Sequence, residues 1–232
     1  MISLRRSDDR GRTEADWLKS WHSFSFGEYH DPKHVGFGPL RAINEDQIEP
    51  AAGFPTHRHR DMEIITYVID GALRHEDNLG TQSLINAGDV QRMTAGSGIQ
   101  HSEFNASEQD VVRLVQIWIK PNIDGLQPAY EQKAFSDDEK RDRLCLITSQ
   151  DGHDGSVVIH QDADVYASII SNGRSVRHQL VGPRHIWIQT LRGDVTVNGR
   201  PLNEGDGAAV EGELEIVVTA STESEVLLFD TA

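Results

Sequence analysis

Short runs of β-branched residues, cut by glycine, asparagine and aspartate, dominate this chain and limit the folds open to it. Many short strands at close spacing are typical of a sandwich or a barrel. The runs that predict strands are Met62–Ile69, Val111–Ile119, Ala167–Ile170, His185–Leu191, Asp194–Val197, Leu214–Val218 and Val226–Phe229. Only two segments favour a short helix: Thr13–Ser20, with Thr13 as N-cap, and Ser136–Arg143, with Ser136 as N-cap. The expected fold is therefore all-β with a few short helices.

Length and charge narrow the class of protein further. The chain has 232 residues, and domains average about 150, so one large β unit or two small ones are expected. With 37 acidic and 22 basic residues, the formal net charge is −15, which disfavours binding to a nucleic-acid backbone because such binding needs a cationic surface. Cys145 is the one cysteine. The N-terminus lacks the apolar stretch that a signal peptide would have, and no apolar run approaches the ~20 residues of a membrane helix. We therefore expect a cytoplasmic protein without nucleic-acid or membrane partners.

The two halves of the chain carry a weak internal repeat. Glu63–Gly71 and His185–Gly193 are equally long runs that end in glycine, and each is followed by a Gly-Asp turn, at Gly88 and at Gly205. Two strand–turn–strand copies at matching places suggest a duplicated β-barrel. The divider predicted between the copies is Pro121–Arg143, which contains two prolines, a glycine and a charge run.

Two residue pairs in the first half carry side chains suited to a metal ion. His57 and His59 are two positions apart, as are His101 and Glu103, and the period of a strand places each pair on one face. If the two strands adjoin, three imidazoles and one carboxylate converge, a donor set suited to Fe, Mn, Co, Ni, Cu or Zn rather than to Mg or Ca. A lone His-x-His pair is common on exposed strands, so the weight lies on the combination. Six further histidines are expected to be surface or hydrogen-bonded structural residues: His22, His30, His34, His75, His153 and His160.

These residues resemble the two motifs of the cupin superfamily, Gly…His-x-His…Glu…Gly and Gly…Pro-x-Gly-x-x-His-x-x-x-Asn. The matching positions are Gly53, His57, His59, Glu63, Gly71, Gly88, Gly98, His101 and Asn105. Gly96 stands where the second motif has proline. Three longer segments look like the pirin family, at residues 21–26, 57–67 and 93–103. The resemblance covers the first half clearly and the second half in length and repeat pattern only.

The resemblance implies a monomeric bicupin, in which two β-barrel or jelly-roll domains pack together. Residues 1–134 would form the N-terminal cupin domain with the metal site, and residues 135–232 a C-terminal cupin-like domain without metal ligands. Pirins bind one metal ion, usually iron, through three histidines and a glutamate, which correspond here to His57, His59, His101 and Glu103. Glu63 is generally not a ligand in the family, and we expect it beside the ligands or in the pocket.

The repeat also predicts that the second half has lost its metal ligands. Aligned on the repeat, the residues at the four ligand positions are Gln179, Val181, Val218 and Ala220. Valine and alanine offer no donor atom, so we expect this domain to be structural. His178 and His185 then occupy no ligand position.

The resemblance further implies a function, because pirin-like bacterial proteins are known as quercetinases. Such an enzyme opens a flavonol ring with O₂ and releases carbon monoxide. The flavonol 3-hydroxyl would bind the metal and lose its proton, and Glu103 would take or hold that proton. A slot lined by Phe26, Phe54 and Met62 would suit a flat aromatic substrate. Two alternatives stay open: an iron-bound redox sensor that binds a regulatory protein partner, and a cupin enzyme of another kind, such as a sugar isomerase or a dioxygenase with another enol substrate.

Overall fold

The computed structural model describes all 232 residues and shows an all-β protein with antiparallel sheets. The first strands in chain order are β1 (Ile2–Arg5), β2 (Gly11–Ala15), β3 (Leu18–His22), β4 (Leu40–Ile48), β5 (Gly53–His59), β6 (Glu63–Asp70), β7 (Ala72–Asp77), β8 (Gln82–Asn86), β9 (Asp89–Thr94), β10 (Ile99–Asn105), β11 (Val112–Ile119) and β12 (Ala129–Ala134). The remaining strands are β13 (Cys145–Ser149), β14 (Val157–Val158), β15 (Ala163–Ile170), β16 (Ser175–Gln179), β17 (His185–Arg192), β18 (Val195–Val197), β19 (Arg200–Leu202), β20 (Gly207–Glu211), β21 (Glu215–Ala220) and β22 (Ser224–Thr231). The helices are α1 (Asp137–Lys140) and two 3₁₀ turns, Ser7–Asp9 and His153–Gly155. None of the helices is long and apolar enough to span a membrane.

The chain divides into two compact units. The N-terminal unit consists of Gly11–Ala134 and Val157–Gln161, and the C-terminal unit consists of Met1–Arg10, Phe135–Ser156 and Asp162–Ala232. The first residues belong to the C-terminal unit because β1 pairs with β20 in antiparallel register. The sequence-predicted division between residues 134 and 135 is thus one of four points at which the chain passes from one unit to the other.

Two sheets build the N-terminal unit. The larger has the strand order β12-β9-β6-β11-β4-β3-β2 and the smaller the order β5-β10-β7-β8. Buried side chains from both sheets pack together, including Val68 and Leu114 of the larger sheet with Leu73 and Ile85 of the smaller. The inner faces of the two sheets therefore enclose the interior from which the functional side chains project.

The C-terminal unit repeats this arrangement with a filled apolar interior. The strands of this unit follow the order β1-β20-β17-β22-β15-β13 in the larger sheet and β16-β21-β18-β19 in the smaller sheet. The alternating apolar residues expected to face inward are all buried in one cluster: Ile186, Ile188, Val195, Val197, Ile216 and Val218. Burial of apolar side chains stabilises the unit through the hydrophobic effect.

The internal repeat seen in the sequence corresponds to a structural repeat. The strand β6 lies between β9 and β11, and β17 lies between β20 and β22. Each ends at a glycine in the left-handed region, Gly71 with φ 78° and Gly193 with φ 70°, a conformation that glycine adopts without steric cost.

The strand register corrects the predicted equivalence of the ligand positions in the C-terminal unit. In β5 and β10, His57 pairs with His101 and His59 with Ile99. On β16 and β21 the matching pairs are Val176 with Val218 and His178 with Ile216. The four equivalent residues are therefore Val176, His178, Val218 and Ala220.

Loop length explains why the sequence alignment placed two of these residues wrongly. Seven positions separate His178 from the start of β17, whereas four separate His59 from the start of β6. Val181, predicted as the counterpart of His59, lies in the longer loop and is exposed. His178 occupies a ligand-equivalent place after all, where its Nε2 lies 2.6 Å from Oδ2 of Asp230.

One of the two predicted helices is wrong, and the other is confirmed over Asp137–Lys140 with Ser136 as its N-cap. Thr13–Ser20 forms parts of β2 and β3, which pair as a hairpin, and β3 continues the sheet beside β4. Pairing of these backbone groups within a sheet outweighs the weak local preference for a helix. Ser136 caps α1 with a capping box, in which its backbone N–H donates to Oε2 of Glu139 over 2.7 Å.

Candidate metal centre

The strands that carry the two predicted residue pairs are neighbours, which is the condition that the sequence analysis set for a shared site. β5 and β10 pair so that His57 lies opposite His101, and β10 alternates between buried and half-buried residues along its length. Three of the potential ligand atoms, those of His57, His59 and His101, lie within 4.8 Å of one another. Glu103 follows on the same face of β10, and its carboxylate forms a second group of this size with His101 and His75.

An irregularity in β5 orients the first histidine. The register shifts between His101 and Glu103, so that Phe54 rather than Pro55 faces Glu103, and a proline is tolerated in a strand at such a bulge because it cannot donate to the ladder. The Pro55 carbonyl lies 2.8 Å from Nδ1 of His57. A carbonyl only accepts hydrogen bonds, so Nδ1 of His57 donates and its Nε2 presents a lone pair.

Two imidazole nitrogens face each other at a distance that fits one shared ion. Nε2 of His57 and Nε2 of His101 are 3.1 Å apart. Nitrogen ligands bind ions such as zinc at about 2.0–2.1 Å, and two of them at a right angle are then about 3 Å apart. The spacing of these two nitrogens therefore fits a divalent transition metal, and imidazole nitrogens with one carboxylate are a donor set suited to such an ion.

The Glu103 carboxylate is held on one side only. It is buried, and its Oε2 accepts a hydrogen bond of 2.8 Å from Nε2 of Gln116. The orientation of the Gln116 amide is set in turn by Trp118, whose indole N–H donates to Oε1 of Gln116 over 3.1 Å. Oε1 of Glu103 is buried without a hydrogen-bond partner, which is costly for a carboxylate oxygen unless a cation or a donor satisfies it.

Burial shifts the pKa values of these groups toward their neutral forms. It lowers the pKa of His101 to about 2, with the imidazoles around it acting in the same direction, and lowers the pKa of His59 to about 4. Both rings are therefore neutral near pH 7, the form that binds metal. Burial also raises the pKa of Glu103 to about 7, against the opposing hydrogen bond from Gln116.

A cavity of about 560 Å³ in the N-terminal unit is bordered by three of the predicted ligands, His57, His59 and Glu103. Phe26 and Phe54 line it as predicted, but Trp118 takes the place expected for Met62. The Trp118 ring stands edge-to-face to Phe26 and to His59, each with centroids 5.0 Å apart. Met62 packs, like Trp118, against an apolar cluster around Ile64 and Met93, but it does not line the cavity.

Polar side chains, all buried except that of Thr13, form another part of the cavity wall. His22 has a hydrogen bond of 2.8 Å to Asn44 through Nδ1 and one of 2.8 Å to Thr13 through Nε2, and Ser20 donates to Asp46. All five line the cavity. The sequence analysis expected a structural or surface role for His22 and did not select the other four residues. Ser20 and His22 are two positions apart, as are Asn44 and Asp46, and this spacing is the signal that places each pair on one inward face.

Glu63, which was expected beside the ligands or in the pocket, does not line the cavity, whereas His75 lies next to the proposed ligand His101. Glu63 is buried on β6 and is not among the cavity-lining residues. Its Oε1 lies 3.0 Å from Nδ1 of His160, and its Oε2 accepts from the Thr94 hydroxyl over 3.0 Å. His160 is thus a hydrogen-bonded structural residue, as expected. His75 is also hydrogen-bonded, but it is fully buried beside His101.

Comparisons with known proteins assign the chain to a family. A model of the pirin family matches residues 4–119, and a model described as the quercetinase C-terminal cupin domain matches residues 146–231. Over 230 residues the chain is 44% identical to a quercetin 2,3-dioxygenase of Escherichia coli K12, covering 99% of this chain and 98% of that protein. The chain belongs to the pirin family. A pirin-like protein of Caulobacter vibrioides is 40% identical and fully covered over 233 residues.

Solved structures confirm that this pirin is a bicupin. The crystal structure of YhhW from Escherichia coli has a TM-score of 0.96 at 44% identity, covering 100% of this chain and 98% of that one. A second structure of YhhW, described as a bacterial pirin in complex with nickel(II), has a TM-score of 0.95 and the same identity, with 100% and 99% covered.

Proposed function

We propose that this pirin is a metal-dependent dioxygenase of the quercetin 2,3-dioxygenase type, which opens a flavonol ring with O₂ and releases carbon monoxide. The observation that carries the proposal is the cavity that joins His57, His59 and Glu103 to aromatic walls. The 44% identity to a quercetin 2,3-dioxygenase of Escherichia coli supports it over the whole chain.

The proposed ligands of the metal are His57, His59, His101 and Glu103. The spacing of the imidazole nitrogens and the unsatisfied Oε1 of Glu103 support this set. We propose a single divalent transition metal per chain, with iron expected from the family; nickel(II) is the ion named for the YhhW complex. When bound, the metal acts as a Lewis acid that lowers the pKa of a coordinated hydroxyl.

The protein side chains supply binding, orientation and a place for the proton. Phe26, Phe54 and Trp118 provide apolar surface for a flat ring system. The polar wall beside them offers hydrogen-bonding groups to the phenolic hydroxyls of a flavonol. Glu103 takes the proton from the substrate 3-hydroxyl, and Gln116 holds its carboxylate in position.

We expect quercetin to be a substrate of the metal-loaded protein and luteolin not to be one. The two molecules share the flavone ring system and the other hydroxyls, but luteolin lacks the 3-hydroxyl that must be deprotonated. A site built around a polar group rejects an analogue without it by large factors, about 10⁴ in favourable cases. We expect metal-loaded protein to consume O₂ and release carbon monoxide with quercetin and to do neither with luteolin. If iron-, manganese-, copper- and nickel-loaded protein all leave quercetin intact, the enzyme proposal fails and a redox-sensing pirin becomes the leading alternative.

A matched pair of histidine variants tests whether the C-terminal unit takes part in metal binding. His178 occupies the place equivalent to His59, but its neighbours at the other ligand-equivalent positions have no donor atoms. We expect His178→Ala to keep one metal ion per chain and His59→Ala to lose most of it, as measured by elemental analysis of the purified proteins. A drop in metal content in His178→Ala, or two ions per wild-type chain, would contradict a single site in the N-terminal unit.

A further inference from the structure

We propose that Asp77 and His75 form a hydrogen-bonded relay that fixes the tautomer of His101, so that the Nε2 of His101 is left open to the metal. The inference rests on the proposed role of His101 as a ligand and adds two positioning residues to that site. All three residues lie on neighbouring strands: in the pairing of β10 with β7, His101 faces Asp77 and Glu103 faces His75.

The relay starts at the Asp77 carboxylate, which is itself held by the backbone. Its Oδ1 accepts hydrogen bonds from the N–H groups of Leu79, over 2.9 Å, and Thr81, over 3.0 Å. Its Oδ2 lies 3.2 Å from Nε2 of His75, and the side chains of both residues are fully buried. The hydrogen bonds from the backbone therefore fix the orientation of the Asp77 carboxylate toward the His75 imidazole.

The second link joins two imidazoles through their Nδ1 atoms. Nδ1 of His75 lies 3.4 Å from Nδ1 of His101. On the other side of the His101 ring, Nε2 points to Nε2 of His57 at the proposed metal site. Thus each nitrogen of the His75 and His101 rings has one defined neighbour.

Chemistry then decides which nitrogens carry hydrogen. An ionised carboxylate can only accept, so His75 must donate from Nε2, and its neutral ring is left with Nδ1 as an acceptor. His101 must then donate from Nδ1, and its Nε2 keeps a free lone pair directed at the site. Outer groups that select the tautomer of a ligand histidine in this way increase its affinity for metal.

The tautomers are measurable in the metal-free wild-type protein without any variant. We expect the ¹⁵N chemical shifts and couplings of the imidazoles to show hydrogen on Nε2 of His75 and on Nδ1 of His101. Hydrogen on Nε2 of His101 would overturn the proposal, whatever the protein does with flavonols.

The isosteric variant Asp77→Asn reverses the relay. Its amide oxygen must stay at the Oδ1 position, since turning the amide would direct its NH₂ group at two backbone N–H donors. The NH₂ group therefore faces His75 and forces that ring to accept at Nε2. His75 then donates from Nδ1, and His101 carries its hydrogen on Nε2, where the metal would bind.

We expect Asp77→Asn to bind nickel(II) about 10- to 100-fold more weakly than wild type, as measured by competition with a chelator, and to show the reversed His101 tautomer by ¹⁵N NMR. Glu76→Gln is the matched control, because it removes a carboxylate from the exposed face of the same strand; it should bind nickel(II) like wild type. An Asp77→Asn protein with wild-type nickel affinity would overturn the relay, as would weaker binding without a change of tautomer. Failure of the wild-type protein to bind nickel(II) would instead count against the proposed metal site. The tautomer measurement on the metal-free wild-type protein tests the relay independently of that result.

Discussion

Glu103→Gln is expected to turn over quercetin at least about 100-fold more slowly than the wild-type protein, because an amide cannot take the proton of the 3-hydroxyl. The substitution preserves the size of the side chain and one oxygen atom. Three imidazoles remain, so the metal content should fall much less than the turnover does. The measurement is initial-rate carbon monoxide release per bound metal ion, with metal content determined on the same sample.

Glu108→Gln provides the control for removing a carboxylate by the same change. Glu108 is exposed in the turn after β10, and its variant should match wild type in both rate and metal content. Near-normal flavonol oxidation by Glu103→Gln would exclude the role of Glu103 as the base. A loss of metal as large as the loss of rate would reduce its role to that of a ligand.

His101→Ala is expected to lose bound metal and flavonol oxidation together. This residue is almost fully buried and lies between His57 and His75, so its removal deletes a ligand and leaves a cavity beside the others. Since loss of a group that merely supports a ligand costs about 10- to 100-fold in affinity, loss of the ligand should cost at least about 100-fold.

Metal affinity by chelator competition and carbon monoxide release measure both effects. His153→Ala is the matched control: His153 is exposed, with Nδ1 2.6 Å from Oδ1 of Asp151, and its loss should change neither quantity. A His101→Ala protein that keeps wild-type affinity for the metal would show that the ion is bound elsewhere.

The shared faces of the proposed ligands were predictable because the periodicity of a strand alone decides them. His57 and His59, like His101 and Glu103, need only the two-residue period of a strand to share a face, and the structure adds that their strands are neighbours. The apolar alternation of residues such as Ile186 and Ile188 likewise predicts burial wherever one face of a strand meets a core.

The rest of the site depends on tertiary contacts that periodicity does not encode. His75 is one histidine among several, and only the pairing of β7 with β10 places it beside His101. Gln116 and Trp118 lie on a strand of the opposite sheet, and their hydrogen bonds toward Glu103 arise from the packing of the two sheets. Met62 is apolar and near the ligands in sequence, but it lies just before β6 and packs against the cluster around Ile64 and Met93.

Loop length and strand pairing account for the remaining differences between prediction and structure. The predicted equivalence of His59 with Val181 assumed equal connections in the two halves, and the longer connection after β16 moves the equivalence to His178. Thr13–Ser20 lacks a strong strand pattern of its own, and it becomes a hairpin because β4 offers an edge on which β3 can pair.

The central claim is that one ion is held by His57, His59, His101 and Glu103, and a crystal structure of the nickel-loaded protein tests it most directly. We expect one fully occupied ion in the N-terminal unit, bound by an imidazole nitrogen of each histidine and an oxygen of Glu103, with nitrogen–metal distances of about 2.0–2.2 Å. A fully occupied ion from which any of these four side chains is turned away, or one bound instead by His75 with His101 and Glu103, would contradict it.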